Sequence, residues 1–120
     1  EVESRKALIE QTKKVLGTVD ILVHNVGGPA PSDVLSTSAE AWQSGFERLF
    51  QSVSHLNEAF IPGMRERKFG RVICVTSLSV VEPIAGLAVS NALRSAVTAM
   101  LKTLADEVAA DGITVNCVAP

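Results

Sequence analysis

Two serines and an arginine form the pattern in this sequence that is best suited to chemistry. Ser77 follows the short, β-branched run Arg71–Thr76, whose composition is typical of a strand buried on both faces. Ser90 comes thirteen residues later and Arg94 four residues after that, which places both on one face of a predicted helix. Because ligands of open α/β sheets bind at the carboxyl ends of the strands, the pattern predicts a polar site at this edge.

This spacing resembles the catalytic pattern of the short-chain dehydrogenase/reductase family. In that family a serine at the end of a strand is followed, at the same distance, by Tyr-x-x-x-Lys on the next helix. The tyrosine exchanges a proton with the substrate oxygen while hydride moves to or from a nicotinamide, and the lysine binds the nicotinamide ribose and lowers the tyrosine pKa. The present chain keeps Ser77 but has Ser90 where the tyrosine belongs and Arg94 where the lysine belongs.

The two substitutions change the chemistry that the resemblance implies. A phenol, with a reference pKa of about 10, can be shifted toward neutrality by an adjacent cation, whereas an aliphatic hydroxyl is a far weaker acid. Ser90 is also shorter than a tyrosine, so a water would have to fill the gap at the substrate oxygen. Arg94 keeps the positive charge and offers a fork of donors to ribose hydroxyls. We therefore expect catalytic positions at Ser77, Ser90 and Arg94, with cofactor binding preserved better than acid–base chemistry.

Each of these residues also has a purely structural interpretation. Ser77 and the nearby Ser79 could cap the turn at the end of the strand. Ser90 could be the N-cap of the last helix. Arg94 could form a salt bridge or lie in solvent. These alternatives remain open at the level of the sequence.

A second stretch, His24–Gly27, occupies the place of the family's Asn-Asn-Ala-Gly loop, which runs past the cofactor. Gly27 and Gly28 allow positive φ and a close approach of the backbone to a ligand, although two glycines after a strand also suit an ordinary turn. Near the other end, Thr114–Pro120 closely resembles the family's stretch before its substrate loop. By this resemblance the expected cofactor-binding residues are Asn25, Gly27, Gly28, Arg94 and Pro120.

Several positions depart from the family's pattern. His24 and Val26 replace residues of the Asn-Asn-Ala-Gly loop, and Leu49 replaces an asparagine that supports a water next to the lysine. We expect Leu49 to be a core residue and His55 to lie at the surface or an interface. No second metal ligand lies near His24 in the sequence, so no metal site is predicted.

Three helix-then-strand repeats predict parallel strands joined by right-handed crossovers. The fold class is α/β, a partial Rossmann-like doubly wound parallel sheet in a three-layer sandwich. The predicted helices are Glu3–Leu16, Thr37–Arg67 and Val89–Ala110, and the predicted strands are Val19–Val23, Arg71–Thr76 and Ile113–Val118.

Local signals predict how these helices begin and end. Gly17 is placed to be the residue after the end of the first helix. Thr37-x-x-Glu40 matches a capping box at the start of the second helix. Pro62-Gly63 is expected to kink or end that helix.

The composition narrows the class of protein. The chain has 120 residues, of which 47% are apolar, and a net charge of −2, which gives no basic surface for nucleic acid or an acidic membrane. No apolar run approaches the roughly 20 residues of a membrane span. Cys74 and Cys117 lie in predicted strands without metal-ligand spacing, so we expect both to be buried and reduced, in the cytoplasm.

The leading functional hypothesis is an NAD- or NADP-dependent oxidoreductase that acts on a small carbonyl or alcohol substrate. The alternative is a non-catalytic member of the same fold that binds a nucleotide or a partner subunit. By resemblance, residues 1–120 are expected to be the central and C-terminal part of one Rossmann-type domain, without its first nucleotide-binding strands. The resemblance also implies a homodimer or homotetramer formed through the two long helices.

Overall fold

The computed structural model describes residues 2–120. Three strands alternate with helices in the order that the sequence predicts. The helices are α1 (Val2–Leu16), α2 (Ala39–Gly45), α3 (Ser52–Arg67) and α4 (Ala88–Val108), and the strands are β1 (Ile21–Asn25), β2 (Gly70–Val75) and β3 (Ile113–Val118). A π-helical segment, Phe46–Gln51, joins α2 to α3, so that one long helix runs through all three segments. None of the helices in residues 2–120 is both long and apolar enough to cross a membrane.

The strands form one parallel sheet in the order β1-β2-β3. The register aligns His24 with Cys74, and Cys74 in turn with Cys117. β1 begins two residues later than predicted and extends through Asn25, because Asn25 still pairs with Val75 of β2. His24, which the sequence analysis placed in the loop after this strand, therefore belongs to the sheet.

Helices cover one face of this sheet. The packing forms two buried clusters between strands and helices: Ile61, Met64, Val72, Val108 and Ile113 in one, and Val53, Cys74, Val97 and Leu101 in the other. On the opposite face, the side chains of Ile21 and Val23 are 61% and 56% exposed. Residues 2–120 therefore supply two of the three layers expected of a sandwich, the sheet and one helical layer.

The long helix continues past the proline that was expected to break it. Helix α3 contains Pro62 and ends only at Arg67, where Lys68 takes a left-handed conformation with φ of 55°. The sequence predicted that Pro62-Gly63 would kink or end this helix, and the helix does not end there. Phe60, Ile61 and Met64 are buried on both sides of the proline, and their packing against the sheet outweighs the loss of one backbone hydrogen bond.

The start of this helix differs from the predicted capping box. The N-cap is Ser38, whose Oγ accepts a hydrogen bond of 3.1 Å from the Ala41 backbone N–H. The Thr37 hydroxyl lies within 2.7 Å of both Ser32 Oγ and the Asp33 carbonyl oxygen. Thr37 thus serves the loop before the helix rather than the helix itself. At the end of α1, Gly17 has the positive φ, 72°, that its predicted role requires.

The two cysteines occupy different environments. Cys74, in the central strand, is buried, as predicted, whereas Cys117 is exposed, so the prediction of a buried Cys117 is wrong. β3 lies at the edge of the sheet, and near its carboxyl end the described residues do not cover it. The apolar composition of a strand predicts burial only where another element packs on it.

Candidate functional site

Arg94 is the centre of the site at the carboxyl edge of the sheet. Its Nη2 donates to the Val26 carbonyl at 3.0 Å, and its Nη1 donates to the Val75 carbonyl at 3.3 Å. Its Nε donates to Ser90 Oγ at 3.2 Å, one helical turn away. Arg94 therefore links α4 to the ends of β1 and β2, and it brings Ser90 to the same place.

The guanidinium of Arg94 still has hydrogen-bonding capacity. An arginine carries five N–H donors, and the three hydrogen bonds just described use three of them, which leaves two. None of the ion pairs in residues 2–120 includes Arg94, so the salt-bridge alternative is wrong for this part of the chain. Within residues 2–120 no ion pair neutralises this positive charge at the edge of the sheet.

Ser90 lies inside helix α4 and is buried, with 7% of its surface exposed. The helix begins at Ala88 with Leu87 as its N-cap, so the alternative in which Ser90 caps the helix is wrong. The helix starts earlier because the segment before it is already held in place: Ala88 donates its backbone N–H to the Ser32 carbonyl at 3.1 Å. The Ser90 hydroxyl accepts from Arg94 and keeps its own proton to donate.

Ser77 follows β2 in an extended conformation and is half-buried. Its Oγ accepts a hydrogen bond of 3.1 Å from the Ser79 backbone N–H, so the capping role is present. Ser79 itself is buried, with 1% of its surface exposed. Within residues 2–120 no hydrogen bond joins Ser77 to Ser90 or Arg94. The structure therefore brings Ser90 and Arg94 together directly, and it positions Ser77 separately through its own turn.

Pro120 lies beside the turn that contains Ser77. Its carbonyl oxygen accepts a hydrogen bond of 3.1 Å from the Leu78 backbone N–H. Immediately before, the backbone N–H and the side-chain hydroxyl of Thr76 both donate to the Val118 carbonyl, at 2.8 and 3.1 Å. The end of β3 and the turn after β2 thus form one continuous wall of the site.

The residues expected to lie along a cofactor occupy the end of β1 and the loop after it. Asn25 is exposed at the last position of β1, and Gly27 and Gly28 are exposed in the loop. Neither glycine uses the positive φ that its residue type allows. A methyl group built on Gly28 would lie 4.0 Å from Nη2 of Arg94, at ordinary contact distance. The loop therefore passes directly over the guanidinium.

His24 points from β1 toward helix α3, where its Nε2 lies 2.9 Å from Asn57 Oδ1. Burial lowers the pKa of His24, while the hydrogen bond that His24 donates to Asn57 Oδ1 acts in the opposite direction. Among residues 2–120 no group of three His, Cys, Asp or Glu side chains is placed to hold a metal ion. His55 is half-buried on the same helix. His24 is thus a buried polar link between the sheet and α3.

The side of Arg94 that faces the core is apolar. Leu49 is 3% exposed, as expected of a core residue, and it lines a small cavity together with His24, Cys74 and Arg94. Burial raises the pKa of Cys74 to about 11, with a further contribution from Cys117 and an opposing one from Arg94. Cys74 is therefore protonated at neutral pH and is not a nucleophile.

Sequence reasoning missed the residue that shapes the loop before α4. The Asn91 side chain donates to the Ile84 carbonyl at 2.8 Å and accepts from the Ile84 backbone N–H at 3.4 Å. Both bonds span seven residues and fix the loop that leads into Ser90. An asparagine in the first turn of a helix carries no sequence signal for such a contact. Asn57 was missed for the same reason, because its partner His24 comes from another element. Arg48 was missed because a single arginine on a helix gives no signal for the cavity that it lines beside the loop after β1.

Comparison with known proteins identifies the family of this chain. A sequence model of the short chain dehydrogenase family matches residues 1–120. The chain belongs to that family. The parallel three-stranded sheet with its helices is thus part of a short chain dehydrogenase fold.

Individual members of the family are similar over nearly the whole chain. The 3-oxoacyl-[acyl-carrier-protein] reductase FabG of Haemophilus influenzae is 37% identical over 118 residues, which are 98% of this chain and 49% of the relative. The human dehydrogenase/reductase SDR family member 4 is 31% identical over 119 residues, with 98% and 43% covered. The chain therefore spans about half the length of the curated relatives that it matches.

Solved structures have the same fold. The L-sorbose reductase of Gluconobacter frateurii, complexed with NADPH and L-sorbose, superposes with a TM-score of 0.92 at 34% identity, over 98% of this chain and 45% of that one. A short-chain dehydrogenase from Streptomyces avermitilis superposes with a TM-score of 0.93 at 30% identity, over 100% and 45%.

Proposed function

We propose that the protein is an NAD- or NADP-dependent oxidoreductase that acts on a small carbonyl or alcohol substrate. The observation that carries this proposal is the position of Arg94, a cation held at the carboxyl ends of two parallel strands with two N–H donors still free. The family and its reductase relatives, one of them described with NADPH, support the same reaction class. NAD and NADP remain equally compatible with the residues present.

The site's residues fit a nicotinamide cofactor. The free donors of Arg94 are suited to ribose hydroxyls, and the exposed Gly27 and Gly28 present backbone without side chains beside them. Asn25 and Pro120 border the same edge from β1 and β3. A bound nicotinamide would supply the hydride for carbonyl reduction.

The chain's own hydroxyls would orient the carbonyl and deliver a proton. Ser90 Oγ accepts from Arg94 Nε, so its proton remains available to a substrate oxygen or to a water that bridges to it. Ser77 Oγ likewise accepts from Ser79 N–H and can still donate. An aliphatic hydroxyl is a poor acid even beside a cation, so we expect proton transfer to limit turnover.

The second candidate is a non-catalytic member of the family that binds a nucleotide or a partner subunit. Its support is that all three residues of the catalytic pattern have structural partners. Arg94 holds two strands, Ser90 accepts from Arg94, and Ser77 caps a turn. A binding role keeps the fold and the cofactor edge and needs no acid.

Steady-state kinetics on the full-length protein, of which we propose residues 1–120 to be a part, separates the two candidates. This full-length protein is called the full chain below. We expect the wild type to reduce ketoacyl and quinone substrates slowly or undetectably, with NADH and with NADPH. We expect the double variant Ser90→Tyr/Arg94→Lys to have a higher kcat, because a phenol beside a lysine restores the family's acid. Nicotinamide binding, followed by fluorescence, should occur in the wild type. Brisk wild-type turnover that the double substitution leaves unchanged would contradict any catalytic role of these positions. Binding without turnover in either protein would favour the second candidate.

We also propose that the protein forms a homodimer or homotetramer through α3 and α4, and that it acts in the cytoplasm. A largely apolar groove of about 420 Å³ runs between these helices, with Ile61, Pro62, Met100 and Leu104 among its lining residues. The family's two long helices pair with their symmetry copies, and this groove offers an apolar surface for such pairing.

We propose as well that residues 1–120 are the central and C-terminal part of one Rossmann-type domain.

A further inference from the structure

A cavity of about 420 Å³ with both polar and apolar walls lies between the loop after β1 and helix α2, beside the edge of the sheet. Its walls include Gly27, Ser32, Thr37 and Ser44, with Arg48 on one side and Val89 of α4 on another. The volume falls in the range of about 300–1,000 Å³ that is usual for small-molecule sites. The cavity is therefore large enough for a small organic ligand.

The cavity walls are held together by hydrogen bonds between distant segments. Ser32 donates its backbone N–H to the Gly86 carbonyl at 2.8 Å, and the Ser32 carbonyl accepts from the Ala88 backbone N–H at 3.1 Å. The Thr37 hydroxyl lies 2.7 Å from Ser32 Oγ. These bonds join the loop after β1 to the start of α4 and to the start of the long helix. The site is thus formed before any ligand arrives.

Arg48 supplies the charge of this cavity. It is the one charged residue among the lining residues that the structure describes, and its side chain enters no ion pair within residues 2–120. The acidic neighbours Glu40 and Glu47 do not line the cavity but an adjoining surface depression that shares Ser44 with it, and Glu47 accepts a hydrogen bond of 3.0 Å from Gln43. A guanidinium in a wall that also carries hydroxyl groups, with no carboxylate among the described lining residues, is suited to bidentate binding of an anion.

Gly27 brings the backbone close to this guanidinium. A methyl group built on Gly27 would lie 3.9 Å from Nη2 of Arg48, while one built on the next residue, Gly28, would lie 4.0 Å from Nη2 of Arg94. The glycine pair therefore separates two guanidinium groups, one in the cavity and one at the strand ends. An anion in the cavity would lie next to the proposed cofactor edge without using Arg94.

We propose that this cavity binds the carboxylate or phosphate group of a small molecule, with Arg48 as the bidentate donor. The Ser38 hydroxyl accepts from the Ala41 backbone N–H and keeps its own proton, and Ser44 adds a second hydroxyl in the wall. The proposal holds whether or not the protein reduces a carbonyl. The anionic group can come from a phosphate of the nicotinamide cofactor or from a separate acid.

Isothermal titration of the full chain with inorganic phosphate, and separately with malonate, tests the site. We expect the Arg48→Gln variant to bind about 10- to 100-fold more weakly than the wild type, because it loses charge-assisted hydrogen bonds. Arg48→Lys, which keeps the charge but loses the fork, should fall between the two. The matched control is Arg67→Gln, which removes the same charge from the far end of the same long helix, where Arg67 pairs with Asp20.

Arg48 is exposed and its side chain makes no hydrogen bond within residues 2–120, so the variant should unfold at the wild-type temperature. Anion affinity that Arg48→Gln leaves unchanged would overturn the proposal, and so would an equal loss in Arg67→Gln or no binding by the wild type at millimolar concentration. If NADPH displaces phosphate, the site takes a cofactor phosphate. Simultaneous binding of both would assign it to a separate acid.

Discussion

Arg94 combines two tasks that a lysine ammonium could not perform in the same geometry. Its planar fork reaches the Val26 and Val75 carbonyls while Nε contacts Ser90. These carbonyls lie at the ends of adjacent strands, so the contact stabilises the sheet edge as well as the site. A lysine has no fixed fork and would satisfy fewer of these groups. The arginine at this position therefore has a structural role in addition to its charge.

The buried His24 leads to a prediction about pH. Burial lowers the pKa of His24 in the folded protein, whereas the unfolded chain protonates near its usual value of about 6.5. The unfolded state thus binds more protons as the pH falls below about 7, and the free energy of unfolding decreases until the folded-state pKa is reached. We expect His24→Asn to be less pH-dependent than the wild type between pH 7 and 5, measured by urea unfolding of the full chain.

Carboxylates titrate in both the wild type and His24→Asn. The difference between their two curves of unfolding free energy against pH therefore isolates the contribution of His24. The neighbouring Cys74 does not contribute, since its pKa lies at about 11. Parallel curves for His24→Asn and wild type would show that the imidazole is protonated equally in the folded and unfolded states.

At the scale of elements, the crossing of α2 and α4 decides where Ser90 lies. Val89 packs on Gly45, and a methyl group built on Gly45 would overlap Cγ1 of Val89 and lie 3.0 Å from Cδ1 of Leu93. Because Ser90 follows Val89 directly, any displacement of this contact displaces the Ser90 hydroxyl. The glycine thus allows α4 to approach α2 closely enough to place the site.

Gly45→Ala tests this crossing. In an open helix position, replacing glycine by alanine stabilises by about 1 kcal/mol, but here we expect destabilisation of about 1–3 kcal/mol because the core has no room. The matched control is Gly63→Ala in the same long helix, where the added methyl lies 3.1 Å from Nη1 of Arg67, the flexible end of a side chain. Urea unfolding of the full chain measures both. Equal stabilisation by the two substitutions would contradict the proposed close contact.

At the scale of the whole molecule, the groove between α3 and α4 predicts self-association. Substituting Thr103 in the wall of the groove by arginine places a charge on an apolar surface, so we expect Thr103→Arg to shift the protein toward monomers at micromolar concentration. Thr18→Arg, in the exposed turn after α1, is the control and should keep the wild-type assembly. Sedimentation velocity of the full chain reports the state. A monomeric wild type would refute the predicted assembly.

The uncovered face of the sheet predicts that residues 1–120 expressed alone will not fold cooperatively. Ile21, Val23 and Val118 are 61%, 56% and 51% exposed, and α1 contains no buried residue among those described. β1 also has no partner on its outer edge within residues 2–120, and such an edge promotes association between chains. The small buried area therefore does little to offset the conformational entropy that the chain loses on folding. Urea unfolding and hydrogen exchange should show a broad transition and an unprotected β1. A sharp transition of a monomer would contradict this.

Some features of this protein follow from local sequence alone. The alternation of helices and β-branched runs sets the parallel α/β order, because each period specifies one kind of element and each helix returns the chain to the same edge. The contact between Ser90 and Arg94 also follows, since residues four apart share a helical face. Gly17 at the end of α1 is a third local feature, set by the positive φ that glycine tolerates.

Tertiary structure decided what the site residues contact. Arg94 reaches Val26 across 68 residues of sequence, and His24 meets Asn57 across 33. No local pattern encodes these pairs, because they depend on which strands become neighbours and how closely the helices pack. The same cause explains the exposed Cys117, whose apolar strand lies at an edge of the sheet that nothing in residues 2–120 covers. Local periodicity specifies the elements, and packing between distant segments specifies the chemistry they present.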